Sequence, residues 1–214
     1  IIIYFRQDLA RLIYALFNRD HDPDYNRLAW HIGWASFPAG IIGLLGGNLI
    51  EQELRSPTFV AWNLLFWSLV FFAVERYSSS QKSTETDISR MTLGQVLFIG
   101  FAQAIALLPG TSRSGITIAG GMLVNLSPTS AARFSFLLGA PIILAAGAHK
   151  TLHFLSAPEN SVHLSGLQLG VGLFISFIVG YFAIKLLLGI VSRLGLTPFI
   201  CYRILLATYI LITF

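Results

Sequence analysis

An arginine, three hydroxyl residues and two glycines interrupt an apolar part of this chain, and together these residue types suit the binding of a phosphate-like anion. The interruption separates apolar pieces at 93–108 and 116–126 and has the sequence Pro109-Gly110-Thr111-Ser112-Arg113-Ser114-Gly115. The proline lacks a backbone donor and the glycines free the backbone torsions, so we expect the helix to break here. Hydroxyls and exposed amides at the start of a second helix would then donate hydrogen bonds to an anion, and arginine would add a bidentate pair.

Arg113 is the residue on which this prediction depends, because a charged side chain in the middle of a membrane segment costs roughly 2.5 to 3.5 kcal/mol. An anionic ligand would compensate for that cost. The predicted anion-binding set is completed by residues of the tip and of the next helix's first turn: Gly110, Thr111, Ser112, Ser114 and Thr117. The alternative is that Arg113 lies at a membrane interface and that the hydroxyls are ordinary helix caps.

The composition places this tip in a membrane protein. Of the 214 residues, 55% are hydrophobic and only 11% are charged, against roughly 25% charged in a soluble domain. These values exclude a disordered chain, a coiled coil and nucleic-acid binding through a basic face. A single cysteine, Cys201, excludes an intramolecular disulfide and a thiolate metal cage.

The apolar segments predict an all-α, polytopic membrane protein with one transmembrane domain over residues 1–214. A helix needs about twenty residues to cross about 30 Å of hydrocarbon, and the predicted spans are 32–49, 59–74, 134–155, 167–188 and 198–214. Residues 1–17 are predicted to be the tail of a truncated span. The broken segment 93–126 contains a piece too short to cross, so we expect it to turn back as a re-entrant helical hairpin.

The distribution of basic residues favours this re-entrant topology, since lysine and arginine collect on the cytoplasmic side. If the segment turns back, ten basic residues share one side and two lie on the other, with Arg113 and Arg203 left out. The side with two carries Arg55 and Lys150, and the side with ten carries Arg6, Arg11, Arg19, Arg27, Arg76, Lys82, Arg90, Arg133, Lys185 and Arg193. If the segment crosses, the same count becomes eight against four.

The broken segment also resembles a known family. Residues 103–117, QAIALLPGTSRSGIT, resemble the PGxSRSxxT signature of the bacterial undecaprenyl pyrophosphate phosphatase family. The downstream residues 133–138, RFSFLL, and Pro141 are similar to the family's next helix. The order and spacing of the spans agree with the family along essentially the whole chain.

The resemblance implies an enzyme that hydrolyses undecaprenyl diphosphate to undecaprenyl phosphate and phosphate, which recycles the lipid carrier of cell-wall synthesis and is linked to bacitracin resistance. It implies two inverted-topology repeats, each with a re-entrant hairpin, in the bacterial plasma membrane, and a site open to the outer face. By the same resemblance Arg113 would grip the diphosphate, Ser112 and Ser114 would contact its oxygens, and Thr117 would support the pocket. A homodimer is left open, and no nucleic-acid partner is expected.

The family's acidic ExxxE signature is absent from this sequence, and the resemblance places it upstream of Ile1. A divalent cation, Mg²⁺ or Ca²⁺, is therefore expected to be bound by residues preceding Ile1, and the 214 residues are expected to hold only part of the active site. Glu51 and Glu53 are two apart in a predicted outer loop, so we do not assign them to a metal. His149 and His153 have metal-ligand spacing without a completing glutamate, and an interfacial role is favoured for both.

Three further polar residues lie in the apolar segments. A contact with the substrate is one of two possible roles for the first and is not expected for the other two. Gln103, in the helix leading to the tip, could contact the substrate or satisfy a neighbouring helix. Arg203 is expected to extend to the cytoplasmic interface, and His31 is interpreted as an interfacial residue.

A membrane carrier or flippase for an anionic lipid or a small anion is the alternative function. Broken helices that point at an anionic substrate also occur in transporters, so the same tip would serve either protein. The two functions differ in that a hydrolase requires carboxylates within reach of the phosphate.

Overall fold

The computed structural model describes residues 1–80, 87–155 and 166–214, with the side chains of 47–53, 149, 150 and 153–155 also outside the description. Within these ranges the chain forms eight α-helices and one 3-10 turn, Ile88–Arg90. The helices are α1 (Arg6–Phe17), α2 (Pro23–Glu53), α3 (Pro57–Ser80), α4 (Leu93–Ile105), α5 (Arg113–Leu123), α6 (Pro128–Leu155), α7 (Gly166–Leu194) and α8 (Thr197–Thr213). The described chain contains no strand, which confirms the all-α prediction.

Local sequence signals explain where several of these helices begin. Pro23, Pro57 and Pro128 are the first residues of α2, α3 and α6, a position where a missing amide hydrogen costs no helical hydrogen bond. At the start of α4, Thr92 and Gln95 form a reciprocal capping box. The starts of these helices are therefore fixed by the local sequence.

Within the part of the chain that the structure describes, four helices are long and apolar enough to cross a membrane, so the chain is a multi-pass membrane protein. Their candidate spans are Pro23–Gly46, Pro57–Ser80, Pro128–Ala148 and Gly166–Leu194. Helix α8 is apolar but shorter than these four, with 17 residues, and it corresponds to the predicted span 198–214. Most helices are longer than the predicted apolar spans. Several begin at a proline upstream of the span, and helical structure continues into polar residues at the ends.

Helices α4 and α5 form an antiparallel hairpin. Midway along the hairpin, a Cβ on Gly120 would lie 3.7 Å from Ile99 Cγ1, and at the open end Gln95 Nε2 donates to the Val124 carbonyl at 3.3 Å. With 13 and 11 residues, the two helices are about 20 and 17 Å long, each shorter than a bilayer core of about 30 Å. These contacts show that α5 folds back along α4 at the predicted break. That the hairpin is re-entrant in a membrane, its depth there and the inverted repeat stay predictions.

Helix α5 packs between α3 and α6, whereas α4 packs against α2, and the core lies around the contact of α5 with α6. Phe134, Leu137 and Leu138 of α6 are completely buried there. Gly121 of α5 faces Ala131 so closely that a Cβ on residue 121 would lie 2.8 Å from the Ala131 Cβ. In contrast, α7 exposes most of its apolar side chains, as expected for a helix that faces lipid.

Candidate functional site

The turn between α4 and α5 is an elbow, residues 106–112, in which two positions, one residue apart, adopt unusual backbone torsions. Gly110 has φ +90° and Ser112 has φ +74°, both in the left-handed region. At residue 110 a Cβ would also lie 2.8 Å from the Val60 carbonyl oxygen of α3, so glycine is required there for space as well as for torsion. Unusual backbone torsions of this kind are common at the functional sites of proteins.

Asn63 of α3 holds the elbow through two hydrogen bonds. Its Nδ2 donates to the Pro109 carbonyl at 2.8 Å and to Thr111 Oγ1 at 2.9 Å. Thr111, predicted to contact substrate, is fully buried, and its hydroxyl is engaged in this bond. Asn63 was not identified from the sequence, where an amide within an apolar span carries no signal of its partner.

Ser112 and Ser114 open onto a cavity of about 220 Å³. Ser112 caps α5 by accepting a hydrogen bond from the Gly115 amide at 3.2 Å, and its side chain is exposed. Ser114 is half-buried. The rest of the cavity wall is largely apolar and comes from α3, α5, α7 and the α8 region, including Phe71, Ile118, Leu187, Val191, Phe199 and Ile200. The two serines therefore present hydroxyls to a pocket that suits an amphipathic ligand.

Arg203 of α8 lines the same cavity, contrary to the expectation that it extends to the cytoplasmic interface. It is only 8% exposed, and its Nη2 donates to the Gly110 carbonyl at 2.8 Å and the Leu64 carbonyl at 3.3 Å. Its Nε donates to Ser68 Oγ at 3.2 Å, and the guanidinium lies 5.2 Å from the Phe71 ring centroid. A second arginine thus holds the elbow and adds positive charge beside the serines.

Arg113 points away from that cavity and lies against α6. Its guanidinium occupies the space that a Cβ on Gly139 would fill. The Nη1 atom is buried and has no hydrogen-bond partner among the described residues. A buried cationic donor without a partner is costly, and a bound anion would supply the missing acceptor.

Thr117 supports the start of α5 from within. It is 1% exposed, and its Oγ1 lies 2.6 Å from Ser135 Oγ of α6 and 2.8 Å from the Arg113 carbonyl, to which it donates. Only one hydroxyl hydrogen is available on Thr117, so Ser135 donates to Thr117 when Thr117 bonds the carbonyl. The contact joins α5 to α6 on the side that Arg113 faces.

Gln103 lies away from the cavity that Ser112 and Ser114 line. It is buried, its Nε2 donates to the Ala35 carbonyl of α2 at 3.5 Å, and its Oε1 has no partner among the described residues. Of the two roles open to it, this placement supports a bond to a neighbouring helix. The side chains of Glu51, Glu53, His149 and His153 lie outside the described residues.

Among the side chains that the structure describes, there is no group of three or more His, Cys, Asp or Glu that could hold a metal ion. The described residues therefore do not by themselves fit a divalent cation.

Comparisons with known proteins agree along nearly the whole chain. The family model described as Bacitracin resistance protein BacA matches residues 1–209. An undecaprenyl-diphosphatase of Saccharophagus degradans is 40% identical over 96% of this chain and 76% of its own length. Undecaprenyl-diphosphatase 2 of Stutzerimonas stutzeri is 38% identical, covering 100% of this chain and 79% of that protein. An undecaprenyl-diphosphatase of Alteromonas mediterranea is 37% identical, with 99% and 78% covered.

Proposed function

The chain belongs to the bacitracin resistance protein BacA family, and from this we propose that it hydrolyses undecaprenyl diphosphate to undecaprenyl phosphate and phosphate. The observation that carries the proposal is the chain-long similarity to proteins named for that substrate, with the anion-suited elbow inside the matched region. The substrate is a lipid, which agrees with a multi-pass membrane protein whose serines open onto an apolar cavity.

We propose that the elbow binds the diphosphate from two sides. Arg113 would give its unpartnered Nη1 donor to a phosphate oxygen, while Ser112 and Ser114 would donate their hydroxyls. The positive end of the α5 dipole favours the same anion. Phosphoryl transfer depends on positioning and on stabilising charge over the phosphate oxygens, and these are the groups that the elbow supplies.

Arg203 and Asn63 act differently, as positioning residues. Their donors bond the Gly110 and Pro109 carbonyls and so fix the backbone that carries the serines. Through its place in the cavity wall Arg203 also raises the local positive potential. Because the elbow is held before substrate arrives, less reorganisation is needed when charge develops.

A divalent cation remains a prediction that follows from the family resemblance. When bound, such an ion would neutralise charge on the leaving phosphate. Its ligands are expected outside the described side chains, which do not form a metal-binding group. No residue of the elbow is assigned to it.

The chain is multi-pass, as the four candidate spans among the described residues indicate. We propose further that it resides in the bacterial plasma membrane and that the site opens to the outer face. A homodimer and the absence of a nucleic-acid partner stay predictions. The carrier alternative gains no support, since the relatives compared are named as diphosphatases.

The test is phosphate release from undecaprenyl diphosphate by the full-length protein in proteoliposomes, with Arg113→Ala compared against Arg76→Ala. Removing one donor that stabilises a transition state costs about a hundredfold or more in rate. Arg76 is exposed at the end of α3, so its replacement is a matched loss of one arginine. Undiminished turnover in Arg113→Ala would contradict the role of Arg113, and phosphate release by neither wild type nor control would contradict the activity itself.

A further inference from the structure

Another cavity, with a more polar wall than the one beside the elbow, lies at the corner between α1, α2 and the start of α4. It has a volume of about 570 Å³, and none of the elbow residues 106–112 lines it. Its polar and aromatic wall is formed by Arg19, Asn26, Arg27, Trp30, His31 and Trp34. The proposed phosphatase chemistry uses none of these side chains.

The wall is built mainly by one stripe of α2. Arg27, Trp30, His31 and Trp34 follow the spacing i, i+3, i+4 and i+7, which places four side chains on a single helix face. Arg19 joins them from the turn between α1 and α2. Asn26 fixes the corner, because its Nδ2 donates to the Ala15 carbonyl of α1 at 2.6 Å. The two helices therefore hold the stripe and Arg19 around one space.

The side chains that line the cavity include two cations, Arg19 and Arg27, and no carboxylate. Neither Arg19 nor Arg27 forms an ion pair with any described residue, and both are exposed. The nearby carboxylates Asp20, Asp22 and Asp24 do not line the cavity. Asp22 is engaged as a cap, accepting from the Tyr25 amide at 3.2 Å. Two cations thus face a space with no acidic side chain among its lining residues.

His31 provides an independent indication of a ligand. It is 7% exposed, lines the cavity, and its Nδ1 is buried without a hydrogen-bond partner among the described residues. A buried polar atom left unpaired is costly. A ligand bearing a hydrogen-bonding oxygen would remove that cost.

The aromatic residues indicate the depth of the cavity. Trp30 and Trp34 are 57% and 48% exposed on a helix long enough to cross a membrane. Tryptophan is enriched at the level of lipid headgroups, and the basic residues of this corner belong to the side predicted to be cytoplasmic. The cavity therefore lies where the phosphates of anionic lipids are concentrated.

We propose that this corner is a binding site for a phosphate group, separate from the catalytic elbow, with Arg19, Arg27 and His31 as its ligands. The same chemistry would serve the headgroup phosphate of an anionic phospholipid or free inorganic phosphate. Trp30 and Trp34 would contact the glycerol and acyl region of a lipid.

The experiment measures retained phosphatidylglycerol by native mass spectrometry of the detergent-purified, full-length protein. Wild type is compared with an Arg19→Gln, Arg27→Gln double variant and with Arg76→Gln, an exposed arginine predicted to lie on the same membrane side. At about 1 kcal/mol for each basic residue near a charged surface, we expect affinity to fall more than tenfold in the double variant and to be unchanged in Arg76→Gln.

A second arm titrates inorganic phosphate against tryptophan fluorescence, and this arm separates the two sources. Lipid retention without a phosphate response assigns the site to a headgroup, and the reverse assigns it to the free anion; either result must be lost in the double variant. The proposal is overturned if neither probe binds, or if the double variant binds as tightly as wild type. His31→Leu, judged against the melting temperature of wild type, is expected to weaken binding as well, and unchanged binding would remove His31 from the site.

Discussion

Gly139 determines whether Arg113 can occupy its observed position, since the guanidinium fills the space of the missing Cβ. Gly139→Ala is therefore expected to displace Arg113 and to lower phosphate release about a hundredfold, as loss of the donor itself would. Gly147→Ala is the matched control on the same helix, because a Cβ there has nothing within 4 Å. The measurement is turnover of undecaprenyl diphosphate in both variants at equal melting temperature. Equal turnover in Gly139→Ala and Gly147→Ala would contradict the assigned position of the guanidinium.

The sequence predicts which residues form the tip, but it does not predict which way their side chains point. A cation between two apolar segments is visible in the sequence, which therefore predicts Arg113, Ser112 and Ser114 as tip residues, and the structure places them at the end of the elbow and in the first turn of α5. Their separation onto two faces depends on the torsions of the elbow and on the packing of α6. The sequence predicts an interfacial position for Arg203, because it gives no sign that α8 packs against α3. That contact brings Arg203 to Ser68 and to the Gly110 carbonyl of the elbow.

The elbow, as an element, is held from α8 by the buried side chain of Arg203. Arg203→Met would leave the Gly110 and Leu64 carbonyls without this donor while keeping an apolar chain of similar length. We expect a loss of about 2 kcal/mol, or about 4 to 8 °C in melting temperature, together with a fall in kcat larger than the change in KM. Arg193→Met, on an exposed arginine of α7, is the control. A melting temperature and kcat equal to those of the control would contradict the positioning role.

The hairpin shows which part of an element can be predicted from local sequence. Pro109 and the two glycines interrupt the apolar run, and the structure places the break between Ile105 and Arg113. The partner that holds the break could not be predicted, because Asn63 lies 46 residues away from Pro109 and no periodicity connects them. Local signals therefore predicted the turn, whereas long-range hydrogen bonds determine its shape.

For the whole molecule, the charge count favours a re-entrant segment, and the α4–α5 hairpin is compatible with that topology. The count uses basic residues outside the tip, whereas the hairpin follows from the contacts of Gly120 and Gln95. If the hairpin returns to its starting side, the beginning of α6 shares a membrane side with the turn between α1 and α2. If it crosses, that beginning lies with the start of α3. The two topologies therefore predict different sides for Thr129, near the start of α6.

Cysteine accessibility distinguishes these arrangements in a background of Cys201→Ser, which removes the exposed native thiol. Thr58→Cys and Thr129→Cys are matched replacements of exposed threonines near the starts of α3 and α6, and Asp20→Cys reports the turn after α1. We expect a membrane-impermeant maleimide to label Thr58→Cys in intact cells, and to label Asp20→Cys and Thr129→Cys only after the membrane is opened. The positive-inside distribution requires this pattern if the hairpin turns back. Labelling of Thr129→Cys together with Thr58→Cys in intact cells would show that the segment crosses, and the elbow would then connect two sides of the membrane.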